Sequence, residues 1–181
     1  MKKSQIRKKF LKLRENKLQK IKLINHNDII KLLKKKGIKG KIVGGYYPYN
    51  NELDCIQILE KLEKKNYIIS LPKIKKNFQM DFVQWSFKEP LVINKFGIPE
   101  PSNGKIKFPD ILLIPLLSFD TKLNRVGYGG GFYDRYIHRI KRKKKPLLIG
   151  LAYSFQRVKS IPINRYDKKL DFVVTERKII E

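Results

Sequence analysis

Cysteine is nearly absent from this chain: its 181 residues include one, Cys55, so no internal disulfide can form and no Cys/His spacing fits a zinc site. Long apolar runs are missing as well. Nowhere do about 18 apolar residues stand together, the length a membrane-spanning helix needs. The opening MKKSQIRKKFLKLRENKLQK is basic but lacks the uninterrupted apolar stretch of a secretory signal. A soluble, cytoplasmic protein is therefore expected. Acidic residues are scarce: 16 Asp and Glu face 42 Lys and Arg, a formal net charge of +26. Such an excess attracts polyanions of every kind, from nucleic acid and nucleotides to polyglutamate chains and anionic membranes, and names no single partner. The abundance of Lys, Ile and Asn together is what drift in an A+T-rich genome produces, and we take drift as the main cause. Zinc-finger spacing and the ribonucleoprotein aromatic motif are both missing, so specific nucleic-acid binding is not expected. No Ser/His/Asp or Cys/His set suggests a protein nucleophile. His26 and His138 have no visible partners and read as surface residues.

What is present is a globular composition, 41% hydrophobic and 11% aromatic, in a length that suits one domain covering residues 1–181. From residue 2 to about 20, Ile6, Phe10, Leu13 and Leu18 recur at near-helical spacing, and Ile29, Ile30, Leu32 and Leu33 mark a second helix ended by Gly37 and Gly40. KIVGG reads as a strand, LDCIQILEKLEKK as a helix over 53–65 and NYIISLPKI as a strand, a unit that points to a parallel sheet. MDFVQWSF reads as a strand or hairpin arm, NKFGIPEPSNGKIKFP as loop, and DILLIPLLSFD as a buried strand cut by Pro115. A helix over about 131–142 and strands at PLLIGLAYS and LDFVVTE complete the pattern. The fold class expected is α/β, a mainly parallel sheet flanked by helices on both faces, with a hairpin insertion around 80–100.

The segment VGYGGGFYDRY, residues 126–136, places Gly127, Gly129, Gly130 and Gly131 directly before that helix. Bare backbone N–H groups followed by the positive end of a helix suit an anion cradle. No Gly-Lys-Ser/Thr follows, so it is not a Walker loop, and Phe132 stands where a dinucleotide fingerprint requires glycine. A plain tight turn with Asp134 stabilising the helix start accounts for the spacing equally well. Asp134 has the hard oxygens a magnesium ion selects, and Arg125 is placed to fork onto a phosphate.

PDILLIPLLSFDTKLNRVGYGGGFYDRYI resembles the hallmark of the 5-formyltetrahydrofolate cyclo-ligase (methenyltetrahydrofolate synthetase) family, whose signature runs Arg-Leu-Gly-x-Gly-x-Gly-Tyr/Phe-Tyr-Asp. The likeness extends in order to both ends: Lys3 and Arg7 match the family's Lys-x-x-x-Arg, Arg14 follows, then YYPYNNELD, LPKI, GIPEP, IGLAYSFQ and IPINRYDKKLDFVVTE. Val126 replaces the usual Leu, and Gly130 stands where some members carry Lys. The resemblance implies conversion of 5-formyltetrahydrofolate to 5,10-methenyltetrahydrofolate using ATP and Mg2+, with release of ADP and phosphate, by phosphorylation of the formyl oxygen and ring closure by N10. It implies that Lys3, Arg7, Arg125, Gly127, Gly129, Gly130, Gly131, Phe132 and Tyr133 contact ATP. Tyr47, Glu52, Tyr128 and the 129–132 backbone would contact the folate, Arg125 and Tyr133 would act in catalysis, and Asp134 and Asp167 would hold magnesium. Asp171 is the alternative to Asp167. A monomer is expected, with a folate substrate that can carry a polyglutamate tail. Trp85 reads as a packing residue, and a plain core position is the alternative reading of both Tyr133 and Tyr136. Two rivals follow from the same sequence: a nucleic-acid-binding module driven by charge, and a relative that binds folate or ATP without turnover.

Overall fold

The computed structural model describes residues 1–17 and 24–181. The expected helix position Leu18 lies outside the described residues. The described residues form a mixed main sheet of eight strands. At its centre, β7 (Ile111–Pro115) pairs in parallel with β1 (Ile42–Gly44) on one side and β10 (Leu147–Leu151) on the other. β2 (Ile68–Ile74) and β11 (Phe172–Val174) extend the parallel block outward. Antiparallel strands finish both edges: β3 (Met80–Gln84) and β6 (Ile106–Lys107) beyond β2, and β12 (Ile179–Ile180) beyond β11. This is the mostly parallel α/β architecture expected.

The apolar run of β7 is explained by burial on both faces, the condition of a strand inside a parallel sheet. Ile111 and Leu113 point into a core built with α2 (His26–Lys35) and α3 (Ile56–Glu63), through Ile29, Leu32, Leu33, Ile58, Leu59 and Leu62. Leu112 and Ile114 point the other way, into a core built with Tyr136, Ile137 and Ile140 of α4 (Phe132–Ile140). Helices therefore cover both faces. The first helix, α1 (Lys3–Lys17), lies outside these layers and seats Ile6 and Phe10 against Leu117, Val126 and Ile161. Val126 belongs to a short ribbon of β8 (Ser118–Phe119) with β9 (Arg125–Val126).

Three segments depart from the expected pattern. The third helix begins at Ile56, not residue 53, because Asn50 and Asn51 take left-handed backbone angles (φ 46° and 58°) and Asp54 Oδ1 accepts the Ile56 N–H at 2.7 Å. The stretch expected to be loop contains the hairpin β4 (Leu91–Ile93) and β5 (Pro99–Pro101). Two prolines are tolerated there because a two-stranded ribbon leaves unpaired edges. Asn94 Oδ1 takes the Phe96 and Ile98 N–H groups and closes its turn. The insertion is thus 91–101, while β3 is part of the main sheet.

The chain leaves β1 toward β2 on one side, and β7 continues to β10 on the other. The loops after β1 and β7 therefore diverge at the carboxyl ends of adjacent parallel strands, the position where open α/β sheets form a crevice. Among the described residues no helix is long and apolar enough to cross a membrane.

Candidate active site

At that crevice lies a cavity of about 1060 Å³. Every residue named above for nucleotide, folate, catalysis or metal lines it: Lys3, Arg7, Tyr47, Glu52, Arg125, Gly127 to Asp134, and Asp167. They come from α1, the β1–α3 loop, β9, the glycine loop, the start of α4 and the loop before β11.

The glycine loop is built as the sequence requires. Gly129 has φ 112° and Gly131 has φ 67°, angles that L side chains disfavour. A Cβ on Gly129 would also stand 3.3 Å from the Arg7 guanidinium. Arg7 Nε donates to the Gly127 carbonyl at 2.9 Å, which ties α1 to the loop. α4 starts immediately afterwards, with Gly131 as its N-cap and no side chain capping it. Its first N–H groups are therefore open to an anion.

Lys3 Nζ meets Asp167 Oδ2 at 2.5 Å, and Asp167 Oδ2 also accepts the Asn164 N–H at 2.6 Å. Asp134 Oδ1 accepts from Arg125 Nη2 at 2.8 Å and from the Lys168 N–H at 3.0 Å. Among the described residues every bond to Asp134 goes to Oδ1 and every bond to Asp167 goes to Oδ2, so each carboxylate keeps one oxygen open. Asp171 stands elsewhere, its Oδ2 accepting the Leu148 N–H within the sheet at 2.8 Å. No group of three or more His, Cys, Asp or Glu gathers among the described residues. Two carboxylates with phosphate and water oxygens are what a magnesium ion takes, so this donor set fits one.

Arg125, expected from the sequence to fork onto a phosphate, is held differently. Its side chain is 6% exposed, and its fork is taken up by Asp134 and the Lys168 carbonyl. It knits β9, α4 and the 164–168 loop into one wall, rather than projecting freely toward a phosphate.

Part of the cavity lining is aromatic. Tyr47, Tyr49 and Tyr128 are part-exposed, Tyr46 is buried, and Tyr133 is half-buried with its hydroxyl turned inward. The Tyr133 hydroxyl is buried without a hydrogen-bond partner among the described residues, and burial raises its pKa well above 10. It stays a neutral phenol with a proton to donate. Glu52 is 9% exposed, and its Oε2 accepts the Tyr49 N–H at 3.1 Å. Burial pushes its carboxyl up to about 7, against the opposing pull of that N–H and of Arg14. Glu52 sits before α3 rather than in its first turn, so it is no helix-end residue.

The remaining expectations resolve by position. His138 is exposed at the cavity rim, and His26 opens α2. Trp85 packs in the core with its Nε1 donating to the Glu89 carbonyl. Tyr136 packs on Phe82 with ring centroids 4.8 Å apart. Sequence reasoning missed four contributors: Arg14 as a fully buried side chain, Arg135 bent back onto the Gly130 carbonyl, Phe96 at the hairpin tip, and Lys168. Arg14 had a readable signal, because Ile6, Phe10 and Arg14 recur every four residues along one buried helix face.

Comparison with known proteins agrees in extent and in kind. The model of the 5-formyltetrahydrofolate cyclo-ligase family matches residues 1–176. The chain is 33% identical over 140 residues to the 5-formyltetrahydrofolate cyclo-ligase of Haemophilus influenzae, covering 73% of this chain and 74% of that one. With the Escherichia coli K12 protein of the same name it is 31% identical over 147 residues, covering 77% and 80%. The 5,10-methenyltetrahydrofolate synthetase of Aquifex aeolicus superposes with a TM-score of 0.78 at 31% identity, over 99% of this chain and 92% of that one. The Mycoplasma pneumoniae synthetase gives 0.73 at 26% identity, over 97% and 99%. With family match, relatives and fold in agreement along nearly its whole length, this chain belongs to the 5-formyltetrahydrofolate cyclo-ligase family.

Proposed function

We propose that this protein, acting as one unit over residues 1–181, converts 5-formyltetrahydrofolate to 5,10-methenyltetrahydrofolate with consumption of ATP and release of ADP and phosphate. The observation that carries this reading is the mixed lining of one cavity. Its basic side chains and glycine loop suit polyphosphate, and its tyrosines with one buried carboxyl suit a flat, N–H-rich ring.

An N-formyl oxygen is a poor leaving group, so it must be activated before a neighbouring amine can close the ring. In the proposed sequence the formyl oxygen attacks the γ-phosphorus and ADP leaves. N10 then adds its electron pair to the formyl carbon and loses its proton, and phosphate departs with the C–O electrons. No protein nucleophile is needed; positioning and charge neutralisation suffice.

Lys3, Arg7 and the N–H groups of residues 129–132 gather the phosphates. Asp134 and Asp167 would hold magnesium, which supplies neutralisation of phosphate charge. Arg125 keeps Asp134 and the 164–168 loop in register. Tyr47 and Tyr128 flank the pterin, Glu52 accepts its N–H groups, and the Tyr133 hydroxyl supplies a donor for oxygen charge that grows during the reaction. Purified protein given 5-formyltetrahydrofolate, ATP and magnesium should develop the methenyl chromophore, and omission of any one should abolish it. Unchanged absorbance with all three present and the protein folded would overturn the reading.

A further inference from the structure

Among the described residues Arg14 is the largest fully buried side chain, 1% exposed, and it lies outside the cavity lining. Burying a guanidinium is expensive unless its fork is occupied. One arm donates to the Tyr128 hydroxyl at 2.8 Å and the other to the Leu116 carbonyl just past β7. The Tyr128 hydroxyl in turn lies 3.2 Å from the Tyr49 carbonyl and 3.4 Å from that of Asn50, in the turn whose Tyr49 N–H is held by Glu52. A chain of contacts therefore runs from α1, which also carries Lys3 and Arg7 into the cavity, to the turn held by Glu52.

The charges point the same way. Glu52 interacts with Tyr46 and Cys55 from its own loop and with Tyr128 and Tyr133 from the glycine loop and α4, all held neutral by burial. Arg14 is the charged side chain among the described residues that acts on Glu52.

We propose that Arg14 is a positioning residue for the folate subsite: it clamps Tyr128 over the Tyr49–Asn50 turn and so fixes the place of the Glu52 carboxyl that holds the Tyr49 N–H. The inference rests on the reading of that part of the cavity as the folate site, and it is tested without depending on it. The midpoint of Glu52 can be followed by carbon NMR of glutamate-labelled protein, with Glu52→Gln identifying the resonance. Arg14→Met should raise that midpoint in the ligand-free protein, while Arg14→Lys should hold it near the wild-type value. Binding of 5-formyltetrahydrofolate by Arg14→Met should be about fivefold weaker at pH 7 if the midpoint rises by one unit, because the wild-type carboxyl is half ionised there, and should recover toward pH 9. Mg-ATP affinity should stay within about twofold, since Arg14 lies outside the cavity. Arg14→Lys should keep the wild-type pH profile but bind folate more weakly, because an ammonium cannot span Tyr128 and Leu116 as a fork does. If Arg14→Met does not fold, Tyr128→Phe, which alters one end of the same chain, should weaken folate binding with Mg-ATP binding intact. An unmoved Glu52 midpoint in folded Arg14→Met, or unaltered folate affinity in Tyr128→Phe, overturns the proposal. Absence of folate binding in the wild type overturns the functional reading instead, and the NMR midpoint still decides the role of Arg14.

Discussion

Replacing Glu52 by glutamine separates burial from binding. The carboxyl is raised from its ordinary 4.5 to about 7 by desolvation. The sign follows from proton counting. Between those two values the unfolded chain has lost the proton that the folded protein keeps, so raising the pH through this window lowers stability. Above about 7 the folded state carries the full cost, about 3 kcal/mol at roughly 1.4 kcal/mol per pKa unit. Glutamine has no such titration. It does add N–H donors to a buried site, which costs about 1–3 kcal/mol if they find no partner, at every pH. The melting-temperature difference between Glu52→Gln and wild type should therefore grow in the mutant's favour from pH 4.5 to 8. At about 2–4 °C per kcal/mol for a chain of this size, the rise across the window is about 6–12 °C. In calorimetry, 5-formyltetrahydrofolate should bind the mutant about 10- to 100-fold more weakly at pH 8, the loss of one charge-assisted contact or slightly more, with Mg-ATP unaffected. A melting difference that stays flat from pH 4.5 to 8 would refute the desolvation argument. Unchanged folate affinity would show that the carboxylate does not face the pterin.

Gly129→Val should abolish most turnover and weaken ATP binding. The left-handed angle costs a β-branched residue about 1–3 kcal/mol and the new side chain crowds Arg7, so full activity in a turnover assay would place the phosphate elsewhere. Arg125→Ala should lose stability as well as activity, by about 1.5–3 kcal/mol, because Asp134 and the Lys168 carbonyl lose a buried donor. Denaturant melts report it, and an unchanged midpoint would contradict the tie between β9 and the 164–168 loop.

Local rules made much of this protein legible. Helical and strand periodicity marked the β1–α3–β2 unit and the doubly buried β7, since apolar residues at fixed spacing have one economical way to be covered. Four glycines before an amphipathic segment marked the tight turn that lines the cavity, because only glycine takes the angles at 129 and 131 without strain. The resemblance carried by those residues then named a family that the full-length match bears out. Where local signals competed, the sequence misled: apolar spacing argued for a helix from 53, and two asparagines in left-handed conformation delayed it to 56. Prolines at 99 and 101 argued for loop, and an edge ribbon accommodated them. Tertiary structure alone decided the electrostatics. Lys3 reaches Asp167 across 164 residues and Arg7 reaches Gly127 across 120, and no spacing rule spans such separations. Whether Arg125 and Arg14 are solvated or sealed, and whether Glu52 titrates near 4.5 or near 7, depends on how much water the assembled walls exclude. Desolvation is a property of the surrounding volume, and that volume exists only once the sheet, its helices and the glycine loop have closed around it.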